Sequence, residues 1–288
     1  MSTATIPAEA PAVVADEPRP RFRDLCAAEW IKMRSLRSTS WVLALSVLAV
    51  IVINLNAVHS DFPYIDNPSP PMDGFPPYRY DALFHSLGSI PADLFMITSG
   101  SVGAITLFGE YASGMIRTTF AAVPDRRAVM AAKVAVVTLV MSVAGAVASA
   151  GSFFLANAML ASRHVGLSIS DPGCLRAVAA YALAAPVSAL VGMGLAAVIR
   201  HATGTVVTVV GVLLLLPLLF RGDRYRWVQE IGHAMPEPAL QRLGVNPANL
   251  TIDLGAHPAS ITESWIVLGA WSLAAVALAV VLVHRRDV

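Results

Sequence analysis

The feature that most constrains this chain is a series of six apolar stretches, at about residues 41–58, 90–109, 129–158, 174–199, 204–220 and 263–284. Roughly 20 predominantly apolar residues in a helix cross the hydrocarbon core of a bilayer. Inside lipid only helices and closed barrels satisfy every backbone N–H and C=O group. The six runs therefore predict an all-α polytopic membrane protein with six transmembrane helices. Composition agrees, with 56% of the 288 residues hydrophobic and 14% charged, against about 45–50% and about 25% in ordinary soluble domains. The third run is long enough to project beyond the bilayer, with Lys133 expected to snorkel near its start. Pro186 and Pro217 fall inside the fourth and fifth runs, where membrane helices tolerate kinks. A net charge of +1 with no long basic run disfavours nucleic-acid binding.

Orientation follows from Lys and Arg, which concentrate on the cytoplasmic side of membrane proteins. With the N-terminus inside, most of the 20 basic residues fall inside, among them Arg21, Arg23, Lys32, Arg34 and Arg37 before the first span. Six spans then place both termini in the cytoplasm of a multi-pass cell-membrane protein. Residues 1–20, rich in Ala and Pro, lack the apolar core of a signal peptide and read as a disordered cytoplasmic tail. Residues 21–38 carry Phe22, Leu25, Cys26, Trp30, Met33 and Leu36 on one helical arc, with cations outside it. That pattern describes an amphipathic helix lying in the interface plane. Glu29 falls inside the apolar arc and either snorkels, pairs with Lys32 or Arg37, or contacts the helix bundle or a partner subunit. Cys26 and Cys174 are too few for a disulfide framework or a zinc ribbon.

Catalytic signatures are missing. A phosphate-binding P-loop needs Gly-Lys-Ser/Thr, and the only two lysines follow Ile31 and Ala132. There is no HExxH and no GxSxG, and the seven histidines are scattered. No catalytic residue and no metal site is expected. Asp93, just after Pro91, sits in the first turn of the second span, where the helix dipole favours a carboxylate. Small residues in spans two and three, including Gly100, Gly103 and Gly145, read as close helix packing, with Thr98 and Ser101 the candidates for a substrate path. Residues 221–262 hold Trp227, Val228, Ile231 and Met235, then Ala239, Leu240 and Leu243, at helical spacing. This is either a pair of short amphipathic helices on the outer face, around 224–244, or a plain loop.

Segment 110–127, EYASGMIRTTFAAVPDRR, joins spans two and three and is too polar for lipid. It is either a solvated turn or a short cytoplasmic helix with a small apolar face for docking a partner. In the second reading Glu110 anchors the segment by pairing with Arg117 or Arg126, and Gly114 permits a close turn. Met115 and Ile116 then fill a groove on the partner, and Arg117 meets acidic groups there.

Three stretches resemble the permease subunit of ABC-2 type ATP-binding-cassette transporters. They are Ala28–Trp41 (AEWIKMRSLRSTSW), Gly109–Thr119 (GEYASGMIRTT) followed by Ala122-Val123-Pro124, and His284-Arg285-Arg286-Asp287. The likeness runs from about residue 21 to the C-terminus. It implies an N-terminal connecting helix bearing Glu29, Trp30, Lys32, Arg34 and Arg37, and a six-span domain over 41–286. It also implies a cytoplasmic coupling helix with Glu110, Tyr111, Gly114, Met115, Ile116, Arg117 and Thr118, and helices between spans five and six. By the same resemblance, the chain pairs with a second permease subunit, as homo- or heterodimer. A separate ATP-binding subunit carries ATP and Mg, so this chain needs no cofactor and is not itself an enzyme. The implied function is export by alternating access. A membrane anchor or sensory protein that recruits a cytoplasmic partner without transport is the alternative from another class. The 221–262 region, with Arg221, Arg224 and Arg226, is more charged than the resemblance implies.

Overall fold

The computed structural model describes residues 20–67, 80–222, 225–248 and 258–285; the expected tail lies outside them except for Pro20. In chain order the helices are α1 (Phe22–Ser35), α2 (Arg37–Ser60), α3 (Phe62–Asp66), α4 (Ala82–Ser86), α5 (Ser89–Ala112), α6 (Met115–Ala122) and α7 (Arg126–Ala161). There follow α8 (Cys174–Ile199), α9 (Ala202–Val210), a π-helical segment (Gly211–Leu215), α10 (Leu216–Leu219), α11 (Arg226–His233), α12 (Pro236–Gly244) and α13 (Ile261–Arg285). No strand occurs among the described residues. Six segments are long and apolar enough to cross a membrane: Arg37–Asp66, Ala82–Ala112, Arg126–Ala161, Cys174–Ile199, Ala202–Leu219 and Ile261–Val283. The chain is an all-α, multi-pass membrane protein.

The helix boundaries have local causes. Asp24 accepts from the Arg21 N–H at 3.0 Å and places a carboxylate in the first turn of α1, where the helix dipole favours it. Asp81 caps α4 by accepting from Leu83 and Phe84, and Asp125 caps α7 by accepting from Arg127 and Ala128. At 36 residues α7 is about 54 Å long, well beyond the roughly 30 Å hydrocarbon core. In the fifth span Pro217 has no N–H for the carbonyl of Leu213. The π segment stands directly before α10 and lets the span run through the proline.

Helix α8 is the centre of the bundle: 72% of its most apolar stretch is buried inside the molecule, against 17% for the first span. It packs on α5, α7 and α13. Backbone contact makes this possible. A Cβ built on Gly103 of α5 would stand 2.0 Å from the Ala189 carbonyl oxygen, one on Gly145 of α7 2.0 Å from that of Ala182, and one on Gly192 of α8 1.9 Å from that of Gly100. The small residues of spans two and three thus serve close packing. Asn54 of α2 adds a polar clamp, donating to Ser152 Oγ at 3.1 Å while accepting from the Gly88 N–H at 3.0 Å. Asn54 and Ser152 are buried, so the bond between them satisfies polar atoms that lipid cannot.

Helices α1 and α6, with the start of α7 and the ends of α5 and α8, form one end of the bundle, here termed the base. Helices α4, α11 and α12 lie at the far end. There α12 buries Ala239, Leu240 and Leu243 in the same core as α8 and α13, whereas Trp227 and Ile231 of α11 stay exposed. Arg224 lies outside the described residues, and the two other arginines have partners: Arg221 pairs with Glu237 at 2.9 Å and Arg226 with Glu230 at 2.8 Å. Glu237 is almost fully buried and also accepts from Gln241, through the same oxygen that meets Arg221; its Oε2 has no partner. Burial pushes this carboxyl above its ordinary range, against the opposing pull of Arg221.

Candidate functional site

The base is organised around four charges brought together by three helices. Glu29 and Lys32 stand one turn apart on α1, Glu110 near the end of α5 and Lys133 two turns into α7. Lys133 donates to Glu29 and, at 2.9 Å, to Glu110 Oε1. Lys32 donates to Glu29 Oε1 at 2.7 Å, to Glu110 Oε1 at 3.0 Å and to Thr119 of α6 at 3.4 Å. The chain's only two lysines thus both meet the same two glutamates. Lys133 is 3% exposed, Glu29 5% and Glu110 8%.

Two positive and two negative groups make the quartet neutral. Neutrality matters because an unpaired charge taken out of water costs several kcal/mol, about 3–5 when one partner of a buried pair is removed. Burial works against the Lys32 ammonium, yet its hydrogen bonds to Glu29 and Glu110 and their charges outweigh this and hold its pKa above the ordinary lysine value. An apolar seam supports the charges from below, where Leu25 of α1 packs with Val129 and Ala132 of α7, flanked by Phe120 of α6.

The structure redistributes several expected roles. Glu110 pairs with the two lysines and not with Arg117 or Arg126; Arg117 is exposed, and Arg126 stacks over Phe120 at 5.1 Å. Lys133 is buried and paired where snorkelling was expected. Ile116 is 2% exposed, an internal anchor of α6 and not a residue free to enter a partner's groove. Met115, Arg117 and Thr118 face outward. Gly114 precedes α6 at φ 71°, with nothing within 4 Å of a Cβ there. The requirement for glycine is therefore conformational, since this left-handed backbone disfavours side chains. Tyr111 lies under the guanidinium of Arg200, the residue that ends α8, at 4.9 Å.

On α1 the apolar arc divides. Leu25, Cys26 and Met33 pack inward with Glu29, while Phe22, Trp30 and Leu36 stay about half exposed, and Arg34 and Arg37 are exposed. The Thr98 hydroxyl bonds back to Leu94 and Phe95 of its own helix. Neither Thr98 nor Ser101 lines the two cavities of about 310 Å³, one at each end of the bundle. Among the described residues, no group of three or more His, Cys, Asp or Glu side chains is placed to hold a metal ion.

The sequence marked each member of the quartet and offered the Glu29–Lys32 pair, which the structure contains at 2.7 Å, but did not join that pair to Glu110 and Lys133. The signals were a glutamate inside an apolar arc and lysine restricted to two positions. No protein-family model matches the chain, and a search of characterised proteins finds no significant match.

Proposed function

We propose that this chain is the membrane-spanning permease subunit of an ATP-driven exporter of the ABC-2 type, with the base cytoplasmic and α6 the coupling helix. The observation that carries the reading is the neutral quartet, which fastens α1, α5 and α7 together and reaches α6 through Thr119. A separate ATPase moves the spans only through a contact rigidly joined to them. Helix α6 is short and anchored by Ile116, and it displays Met115, Arg117 and Thr118 outward. A displacement of α6 is thereby delivered to α1 and to the second and third spans together. ATP closure on the partner would shift the population between two packings of the bundle by as much as the partner's affinity for those packings differs.

The test is capture of a P-loop ATPase from native membranes by the tagged chain, with export measured in the same cells. Met115→Asp and Arg117→Glu should leave the amount in the membrane unchanged but reduce ATPase capture about thirtyfold, since losing an interface anchor commonly costs about 2 kcal/mol or more. Ser170→Ala, exposed at the far end, should behave like the parent. If no P-loop ATPase is captured, the reading fails; if both α6 variants capture it like the parent, α6 is not the docking element.

A further inference from the structure

The quartet also forms one wall of a cavity. This space, about 310 Å³, is bounded by Glu29, Lys32, Glu110 and Lys133 on one side and on the other by apolar groups that include Ile105 of α5 and Val136 of α7. Leu36 and Met115, about half exposed, also line it. The size is at the low end for small-molecule sites, about 300–1,000 Å³, which gives room for a headgroup and the first carbons of a tail. The cavity sits where the apolar lengths of α5 and α7 give way to charge, the depth of a lipid headgroup.

Its polar wall is not fully engaged. Glu110 meets both lysines through Oε1, and its Oε2 has no hydrogen-bond partner among the described residues. Lys133 uses two of its three N–H groups. A ligand that completes this wall must donate to a carboxylate and accept from an ammonium at once. It must also carry no net charge, because the quartet is already neutral and an added buried charge would stand uncompensated.

We propose that this cavity binds one zwitterionic aminophospholipid, its primary ammonium on Glu110, its phosphate accepting from the remaining N–H of Lys133, and the start of its tails along Ile105 and Val136. Phosphatidylcholine fits worse because its quaternary ammonium has no N–H to donate. Phosphatidylglycerol fits worse because its phosphate brings a negative charge beside Glu29 and Glu110 with no cation of its own. The site belongs to this chain alone and does not rest on the transport reading, so either can fail without the other.

The experiment uses the full chain in nanodiscs of equal parts phosphatidylethanolamine, phosphatidylcholine and phosphatidylglycerol. Detergent extraction and native mass spectrometry then count the lipid retained. One phosphatidylethanolamine per chain should be retained, in preference to the others by about tenfold or more, the scale of one charge-assisted hydrogen bond. Ile105→Trp, which fills the cavity from its apolar wall, should abolish that preference. Val136→Phe is the second filling variant, and thermal unfolding confirms that the variant used is folded. Glu110→Gln should bring phosphatidylethanolamine and phosphatidylcholine to near parity. Equal or better retention of phosphatidylglycerol by the parent chain, no lipid retained by it, or a preference that survives a folded cavity-filling variant would each overturn the proposal.

Discussion

A lysine ammonium removed from water must find carboxylates, and Lys133 finds two on different helices. Lys133→Met leaves Glu29 and Glu110 with Lys32 as their one cation. Removing one member of a buried ionic group should lower stability by about 3–5 kcal/mol. Adding Glu29→Gln restores neutrality and should recover most of the loss, a coupling that thermal unfolding of both single variants and the double variant measures in detergent. A loss of the size of a surface pair, about 0–1 kcal/mol, would mean that water reaches the quartet. Glu237 is the contrasting case, a buried carboxylate with one oxygen unpartnered. Its pKa is raised in the folded state, so the folded protein binds a proton more readily than the unfolded one. Stability is therefore lost as pH rises from the ordinary carboxylate range through the raised value, and regained on acidification. Glu237→Gln keeps a hydrogen-bond acceptor for Arg221 and Gln241 and should flatten that limb of the stability–pH curve; parallel curves for parent and variant would refute the assignment. The individual charges and the local Glu29–Lys32 pair were legible in the sequence, but the partners on other helices were not. Helical spacing brings Glu29 beside Lys32, whereas Lys133 lies 104 residues from Glu29 and is brought there by tertiary packing alone.

At the scale of elements, apolar length identifies the spans but does not fix how closely they pack. Apolar length marked the long helix of each span within about four residues, because lipid leaves a helix no other way to satisfy its backbone; it missed α3 and α4, which extend the first two segments to Asp66 and from Ala82. The π segment was not legible: Pro217 announces a missing hydrogen bond, but which turn widens to absorb it depends on the neighbouring helices. Glycine shows the difference between legible and hidden. The sequence places Gly103 and Gly109 on the same helix, and only packing distinguishes them. A methyl group on Gly103 would meet the Ala189 backbone at 2.0 Å, whereas one on Gly109 would meet nothing within 4 Å. Gly103→Ala should force α5 from α8 and cost about 1–3 kcal/mol, the usual penalty for overpacking. Gly109→Ala should be neutral or stabilising by up to about 1 kcal/mol from helix propensity. Thermal unfolding of the two variants checks the contrast, and equal effects would mean that the α5–α8 contact is looser than the structure has it.

For the whole molecule the proposed function requires the base to face the cell interior. Arg34, Arg37, Arg117 and Arg127 are exposed at the base, and the positive-inside tendency assigns that end to the cytoplasm. The native cysteines are poor reporters of this. Cys174 is 1% exposed, so its thiol is closed to a reagent whichever side it faces, and Cys26 is only partly exposed. Two exposed serines serve better. Ser113 lies between α5 and α6 at the base, and Ser170 lies in the connection from α7 to α8 at the far end. With Cys26 and Cys174 replaced by Ala, Ser170→Cys should react with a membrane-impermeant maleimide on sealed cells. Ser113→Cys should react only after the membrane is opened. The reverse pattern would invert the molecule and put the quartet outside, beyond the reach of any cytoplasmic ATPase. Labelling of both positions in sealed cells would mean that the intervening span α7 does not hold a single orientation. Because α7 alone runs about 54 Å from base to far end, the two thiols must lie on opposite sides of any bilayer this bundle spans.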